Sequence, residues 1–214
     1  MSAPRAEPSD AAAEAFPSGM PAEHALLGLL AMREGGTGHG YDLARGFGPE
    51  APLGSVIRLE PGMVYHHLKK LERLGWVTVA PDTSPERPAR RPFALSAAGR
   101  GELRRWLTEP VEHTREIRLE FLVKLYLALA LEPALAVRLI DEQREMCARL
   151  IGSLAEQRRR AETAADAQPG PVRFGEMVAD MRLAQTEAVL TWLDRVRQEA
   201  ASVAAAGEVG PAAS

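Results

Sequence analysis

Apolar residues recur three and four positions apart in the first half of the chain, a pattern that predicts short amphipathic helices. A first helix is expected over residues 23–32 and a second over 41–47, and the connector at 48–60 holds two prolines and two glycines. Pro61 suits the first turn of a third helix, where its missing N–H costs no hydrogen bond, and Gly75 suits its C-terminal cap. The apolar stripe of this third helix consists of Val64, Tyr65, Leu68, Leu71 and Leu74.

Two short stretches with strand character follow the third helix. Residues 76–79 and 93–95 carry aromatic and β-branched side chains, and the segment between them is rich in proline, arginine and acid, so we predict a β-hairpin. Ser96 is a suitable N-cap for a fourth helix. The predicted order is three helices, two strands and a further helix. This is the order of a winged helix-turn-helix domain, which we expect over residues 21–108.

After Pro110 the sequence is almost entirely compatible with helices, so the fold class is mainly α. Two long helices are predicted over about 133–165 and 174–200, each roughly 40 to 50 Å long at about 1.5 Å per residue. Because two such helices cannot cover their own apolar stripes, we expect a helical dimerisation domain over 109–200. The residues expected in the interface with a second copy are Phe121, Leu122, Leu125, Phe174, Val178, Met181, Gln185 and Trp192.

Hydrophobic residues make up 46% of the chain and charged residues 26%, which is ordinary globular usage. Residues 1–20, spaced by three prolines, and the Ala-Gly-Pro segment at 201–214 are expected to be disordered tails. The single cysteine, Cys147, excludes an intramolecular disulfide and favours a reducing compartment. The most apolar stretch, residues 121–131, contains a lysine and is shorter than the roughly 20 residues of a membrane span, so we predict a cytoplasmic protein.

Positive charge is concentrated in one part of the chain, although the whole chain has a net charge of −3. Residues 61–105 contain nine basic and four acidic residues, and a basic helix there would fit the DNA major groove, which is about 12 Å wide. The same pattern also fits a solvated helix face, and charge alone does not decide between the two. The residues expected to contact DNA are Pro61, Gly62, Met63, Tyr65, His66, His67, Lys69, Lys70 and Arg73 on the third helix and Arg87, Arg90 and Arg91 in the hairpin loop.

No residue pattern in the sequence indicates catalysis, a cofactor or a metal site. The glycine-rich segment at 35–40 lacks the Gly-Lys-Ser/Thr of a phosphate-binding loop, so we interpret it as a flexible turn. His66 and His67 are adjacent and would point about 100° apart on a helix, so they cannot bind one metal together. Cys147 has no histidine placed by sequence as its base, and we interpret it as a small buried residue.

The segment EPGMVYHHLKKLERLGWV, residues 60–77, resembles the signature of the PadR family of bacterial transcriptional regulators. In that family a proline-glycine, a small hydroxyl residue, a leucine and a tyrosine open the recognition helix, which ends in Leu-Glu-x-x-Gly. The resemblance extends over roughly residues 22–195. The flanking segments that resemble the first helix, the second helix, the wing with the fourth helix, and the start of the C-terminal domain are 24–30, 39–43, 90–99 and 118–126.

The resemblance implies a homodimeric repressor that binds a pseudo-palindromic operator in double-stranded DNA and is controlled by a small molecule or a stress signal. By position, it assigns phosphate binding to Tyr65, contacts with bases or backbone to His66 and Lys69, and wing contacts to Arg90 and Arg91.

Three positions depart from the family pattern. Met63 stands in place of a hydroxyl residue, Pro92 in place of a wing aromatic and Ala94 in place of a commonly basic residue. These departures bear on operator preference and DNA affinity rather than on the fold. The alternative function is a coiled-coil adaptor whose winged domain binds protein instead of DNA.

Overall fold

The computed structural model describes residues 21–79, 92–167 and 174–208 of the chain. Over these residues the fold is mainly helical, as predicted, with one small antiparallel sheet. The helices are α1 (Pro21–Ala31), α2 (Gly40–Arg45), α3 (Pro61–Arg73), α4 (Ala97–Thr108), α5 (Thr114–Glu116), α6 (Leu122–Leu131), α7 (Pro133–Ala167) and α8 (Phe174–Glu208), and the strands are β1 (Thr37–Gly38), β2 (Val77–Val79) and β3 (Phe93–Leu95).

The two ends of α3 lie where the sequence predicts them. Pro61 occupies the first turn, and Gly75 adopts a left-handed conformation with φ of 71° directly after the helix. The N–H of Trp76 donates to the carbonyl of Leu71 and the N–H of Gly75 to that of Glu72, each at 3.0 Å. These two bonds form a Schellman cap, which turns the chain sharply from α3 into β2.

The sheet has the strand order β1-β3-β2, with both neighbouring pairs antiparallel. Strands β2 and β3 are the predicted hairpin strands. Strand β1 was not expected: it lies in the glycine-rich segment interpreted above as a flexible turn, and it follows a 3-10 turn in which Gly35 and Gly36 have positive φ. A strand of two residues has no hydrophobic period, so the sequence pattern could not reveal it.

Ser96 caps α4 as predicted and also ties that helix to the end of α3. Its hydroxyl oxygen accepts a hydrogen bond from the N–H of Gly99 at 3.0 Å and donates one to the carbonyl of Gly75 at 2.7 Å. A Cβ at Gly99 would lie 2.1 Å from the carbonyl oxygen of Trp76, so only glycine allows this close approach. The order α1-α2-α3-β2-β3-α4, with β1 added at the sheet edge, is a winged helix-turn-helix.

Helices α7 and α8 pack along each other as an antiparallel pair, each 35 residues or about 52 Å long. Ion pairs join them at three levels: Arg158–Asp180 at 3.2 Å, Arg144–Asp194 at 2.6 Å and Arg197–Asp141 at 2.6 Å. Each step toward the C-terminus on α7 is matched by a step toward the N-terminus on α8. The register of the pair is therefore fixed along most of its length.

Helix α8 continues to Glu208, so the prediction of a disordered tail from residue 201 is wrong for 201–208. The alanines in this segment are strong helix formers, which explains the continuation. The segments 1–20 and 209–214, also predicted to be tails, lie outside the described residues. Within the described ranges, no helix combines the length and apolar character needed to cross a membrane.

Two residues expected in a dimer interface belong instead to the core of the chain itself. Phe121 is completely buried and its ring packs edge-on against Trp192 of α8, with ring centroids 6.1 Å apart. Leu125, one turn further along, is also buried. Their prediction as interface residues is wrong, because both side chains are buried within the chain itself and leave no surface for a partner.

Candidate nucleic-acid interface

Helix α3 separates its side chains into a buried side and an exposed side. Val64, His67, Leu68 and Leu71 are buried against the rest of the domain. On the opposite side, exposed residues follow one another at intervals of four, three and four, which places them in one line along the helix. We call this line the exposed stripe of α3, and it consists of Gly62, His66, Lys69 and Arg73.

The basic side chains of this stripe are available to a ligand. Among the described residues, no hydrogen bond or ion pair engages Lys69 or Arg73. The ring of His66 lies edge-on to that of His67 at 5.7 Å and is itself exposed. The stripe therefore presents an imidazole, an ammonium and a guanidinium to solvent over about two helical turns.

The first turn of α3 is also open to solvent. Pro61, Gly62 and Met63 are all exposed, Met63 by 45%. No side chain caps this end, and a Cβ added at Gly62 would meet nothing within 4 Å. The positive end of the helix dipole is thus free to face an anion.

Tyr65 lies beside the stripe and connects α3 to α2. A Cβ at Gly40, the first residue of α2, would come within 2.6 Å of the Tyr65 ring, so the ring packs directly on the backbone there. Tyr65 nevertheless remains 43% exposed. Its ring fixes the angle between the two helices, and the side chain can still reach a ligand on the outer side of α3.

His67 does not belong to the exposed side, so its prediction as a DNA contact is wrong. The side chain is buried, and its Nδ1 lies 3.3 Å from a carboxylate oxygen of Glu23 on α1. Its place three residues after Val64 and four before Leu71 puts it on the buried stripe of the helix. Lys70, also predicted as a DNA contact, donates to the same carboxylate oxygen at 2.6 Å and is part-buried.

Comparison with known proteins finds two family models that match this chain. Residues 26–105 match the model of the transcriptional regulator PadR-like family, and residues 117–200 match a second model, described as the C-terminal part of virulence activator alpha. The first match contains the whole of α3 and the second most of α6, α7 and α8. Residues 26–105 therefore form a PadR-like domain, and the chain is similar to transcriptional regulators of that family.

Two curated relatives resemble this chain over part of their length. A probable transcriptional regulator from Mycobacterium tuberculosis, Rv1176c, is 33% identical over 43% of this chain and 46% of the relative. The negative transcriptional regulator PadR from Bacillus subtilis is 29% identical over 56% of this chain and 64% of the relative. The match thus spans less than two thirds of either relative.

A solved structure is also similar to this chain. It is that of Bacillus subtilis PadR in complex with operator DNA, at 22% identity and a TM-score of 0.38, covering 83% of this chain and 98% of that one.

The wing of this PadR-like domain is described only in part. Strands β2 and β3 are placed, and Pro92 and Ala94, two of the departures from the family pattern, are half-buried. Arg87, Arg90 and Arg91, predicted to contact DNA from the hairpin loop, lie outside the described residues.

A buried polar cluster around Trp106 joins the PadR-like winged domain of the chain to its C-terminal helices. The ring of His24 stacks on Trp106 with centroids 4.4 Å apart, and Lys124 Nζ lies 4.9 Å from the same ring centroid. Glu120 accepts from Trp106 Nε1 at 3.1 Å and pairs with Lys124 at 3.0 Å. The sequence pattern does not reveal this cluster, because His24 and Lys124 lie in apolar stretches where periodicity predicts core.

Burial controls the protonation of the basic members of this cluster. Desolvation lowers the pKa of His24 below its ordinary value, and this outweighs the hydrogen bond to Glu102 that acts in the opposite direction. His24 is therefore neutral at pH 7. Burial lowers the pKa of Lys124 as well, against the attraction of Glu120.

Neither a reactive cysteine nor a metal-binding cluster forms a second site among the described residues. Cys147 is buried, as predicted, and desolvation raises the pKa of its thiol, so it is a poor nucleophile at neutral pH. Over the residues that the structure describes, no three histidine, cysteine or carboxylate side chains are grouped so that they could hold a metal.

Proposed function

We propose that this protein is a PadR-like, DNA-binding transcriptional repressor that reads the major groove with the exposed stripe of α3. The observation that carries the proposal is the stripe itself: Gly62, His66, Lys69 and Arg73 lie in line, exposed, while the opposite side of the helix is fixed in the core. A helix of this kind enters the major groove with its N-terminal residues nearest to the base edges. His66 then faces bases and Lys69 faces the backbone.

Phosphate contacts on both sides of the stripe would fix the position of the helix without reading sequence. Tyr65 and the open first turn of α3 would contact phosphates of one DNA strand beside the groove. The loop arginines predicted from the sequence, Arg87, Arg90 and Arg91, would serve the other strand or the minor groove. A repressor is the form we propose, since the Bacillus subtilis relative is named a negative regulator.

We propose further that the protein acts as a homodimer, with a DNA-binding domain over 21–108 and a dimerisation domain over 109–200. Phe174, Met177 and Met181 follow one another at intervals of three and four along α8 and are 67%, 65% and 53% exposed. Neighbouring exposed apolar side chains of this kind are typical of a protein–protein interface. The predicted contact set is completed by Val178, Gln185 and Trp192 on the same helix and by Leu122 on α6.

A two-fold dimer would present two copies of α3 to one duplex. The half-sites of the operator would then be related by the same symmetry and separated by about one or a few helical turns. For control by a small molecule, the C-terminal half offers a cavity of about 520 Å³ between α5, α7 and α8. Its lining combines Leu150, Leu154 and Met181 with His113 and Arg115.

The test is a selection of duplexes by the full chain from a pool of random sequence. We expect enrichment of one pseudo-palindromic sequence, here called the selected duplex, bound about 10³-fold or more tightly than random duplex. Light scattering of that complex should give two chains per duplex. Failure to enrich any sequence, with equal and weak binding throughout the pool, would contradict the proposal and favour the protein-binding adaptor.

A further inference from the structure

Glu23 is a buried carboxylate in the otherwise mostly apolar interior of the winged domain. It lies on α1 with a side chain that is 3% exposed, in a helix whose other buried residues are almost all apolar. Removing a carboxylate from water is costly, and an apolar residue of similar volume would pack there without that cost. Its position in the first turn of α1 suits the helix dipole but does not explain its burial.

Both polar partners of Glu23 come from the recognition helix. The Nδ1–H of His67 and the ammonium of Lys70 donate to the same oxygen, Oε1, at 3.3 Å and 2.6 Å. The two donors are three residues apart on α3 and so lie on one side of it. Nε2 of His67 is buried, and no atom of the described residues bonds to it, so Glu23 is the one polar restraint on that ring in this part of the chain.

We propose that Glu23 is a positioning residue for DNA recognition: through His67 and Lys70 it fixes the rotation of α3 about its own axis. Apolar packing of Val64, Leu68 and Leu71 tolerates small rotations of the helix, because apolar contacts are not directional. Two hydrogen bonds to one oxygen atom are directional, so they restrict such rotations. A rotation of the helix would move His66 and Lys69 sideways in the groove. This inference rests on the proposed function.

The same geometry separates two neighbouring lysines by role. Lys69 is on the exposed stripe with no partner in the described part of the chain, so its ammonium is free to bind phosphate. The ammonium of Lys70 is already held by Glu23, although its side chain is 39% exposed. Lys70 therefore acts on DNA through the orientation of α3 rather than by direct contact.

The experiment compares Glu23→Gln with Glu102→Gln, which removes the same charge from a part-buried carboxylate that bonds to another histidine, His24, but not to α3. For each variant the affinity is measured for the selected duplex and for random duplex, with a melting curve to establish folding. We expect Glu23→Gln to lower the ratio of the two affinities by about tenfold or more while binding to random duplex is retained, and Glu102→Gln to leave the ratio unchanged. An unchanged ratio in Glu23→Gln, or an equal loss on both duplexes, would overturn the proposal.

A variant on the helix surface gives an independent result if Glu23→Gln does not fold. Lys70→Ala should lower the affinity ratio without changing the salt dependence of binding, whereas a lost phosphate contact lowers the salt slope by about one. A slope reduced by about one in Lys70→Ala would mean that Lys70 binds phosphate directly and would overturn the assignment. A wild-type chain that shows no preference for any duplex would contradict the proposed function itself, which keeps the two failures distinct.

Discussion

Replacing Lys124 by alanine is expected to lower the free energy of unfolding by about 3 to 5 kcal/mol, the range for breaking a buried ion pair by removing one partner. The Lys124 side chain is 2% exposed, and its ammonium pairs with Glu120, donates to the carbonyl of Glu109 at 2.6 Å and lies over Trp106. Alanine leaves the Glu120 carboxylate without its cation and opens a cavity beside Trp106. Denaturant unfolding at one fixed chain concentration measures the effect.

The control for this prediction removes the charge pair without emptying the space. In the double variant Lys124→Met/Glu120→Gln, methionine fills most of the volume and the glutamine carbonyl can still accept from Trp106 Nε1. Replacing a buried pair by neutral groups of similar size is often close to neutral in stability, so this variant should be clearly more stable than Lys124→Ala. A loss below about 1 kcal/mol in Lys124→Ala, which is typical of an exposed ion pair, would show that the cluster is not a dry interior site.

Replacing Phe121 by alanine should destabilise the fold by about 3 to 5 kcal/mol, whereas Phe174→Ala should change the stability of the single chain by less than about 0.5 kcal/mol. The reason is burial: Phe121 is completely buried with its ring against Trp192 of α8, and Phe174 is mostly exposed at the start of α8. Phe174→Ala should instead weaken self-association, because it removes the end of the apolar line on α8.

Unfolding curves and light scattering at several chain concentrations separate these two effects. We expect Phe121→Ala to unfold at lower denaturant at every chain concentration and Phe174→Ala to show a lower dimer fraction on dilution. The opposite result would be a folded monomer for Phe121→Ala and an unchanged dimer for Phe174→Ala. It would mean that Phe121 lies in the dimer interface and that the apolar line on α8 does not.

The ends of α3 could be predicted from sequence because local chemistry sets them. A proline in the first turn, a left-handed glycine after the last turn and a serine cap on the next helix each act within a few residues. These signals placed α3 and α4 correctly, and with them the winged helix-turn-helix.

The environment of individual side chains could be predicted only in part. His67 has the spacing of the buried stripe, so periodicity alone could have separated it from its neighbour His66. Phe121 and Lys124 could not be assigned in this way. The segment that contains them is apolar nearly all round, so its sequence pattern does not distinguish the side that packs within the chain from a side that would pack against a second copy. Their burial depends on α1 and α4, which are distant in sequence.

The claim that the exposed stripe of α3 contacts DNA is tested by the salt dependence of binding to the selected duplex. The slope of log K against log salt is measured for the wild-type chain, for Lys69→Ala and for Arg149→Ala, which removes an exposed charge from the middle of α7. Loss of one phosphate contact should reduce the slope by about one in Lys69→Ala, with Arg149→Ala matching the wild-type chain. Equal slopes in all three proteins would contradict the claim.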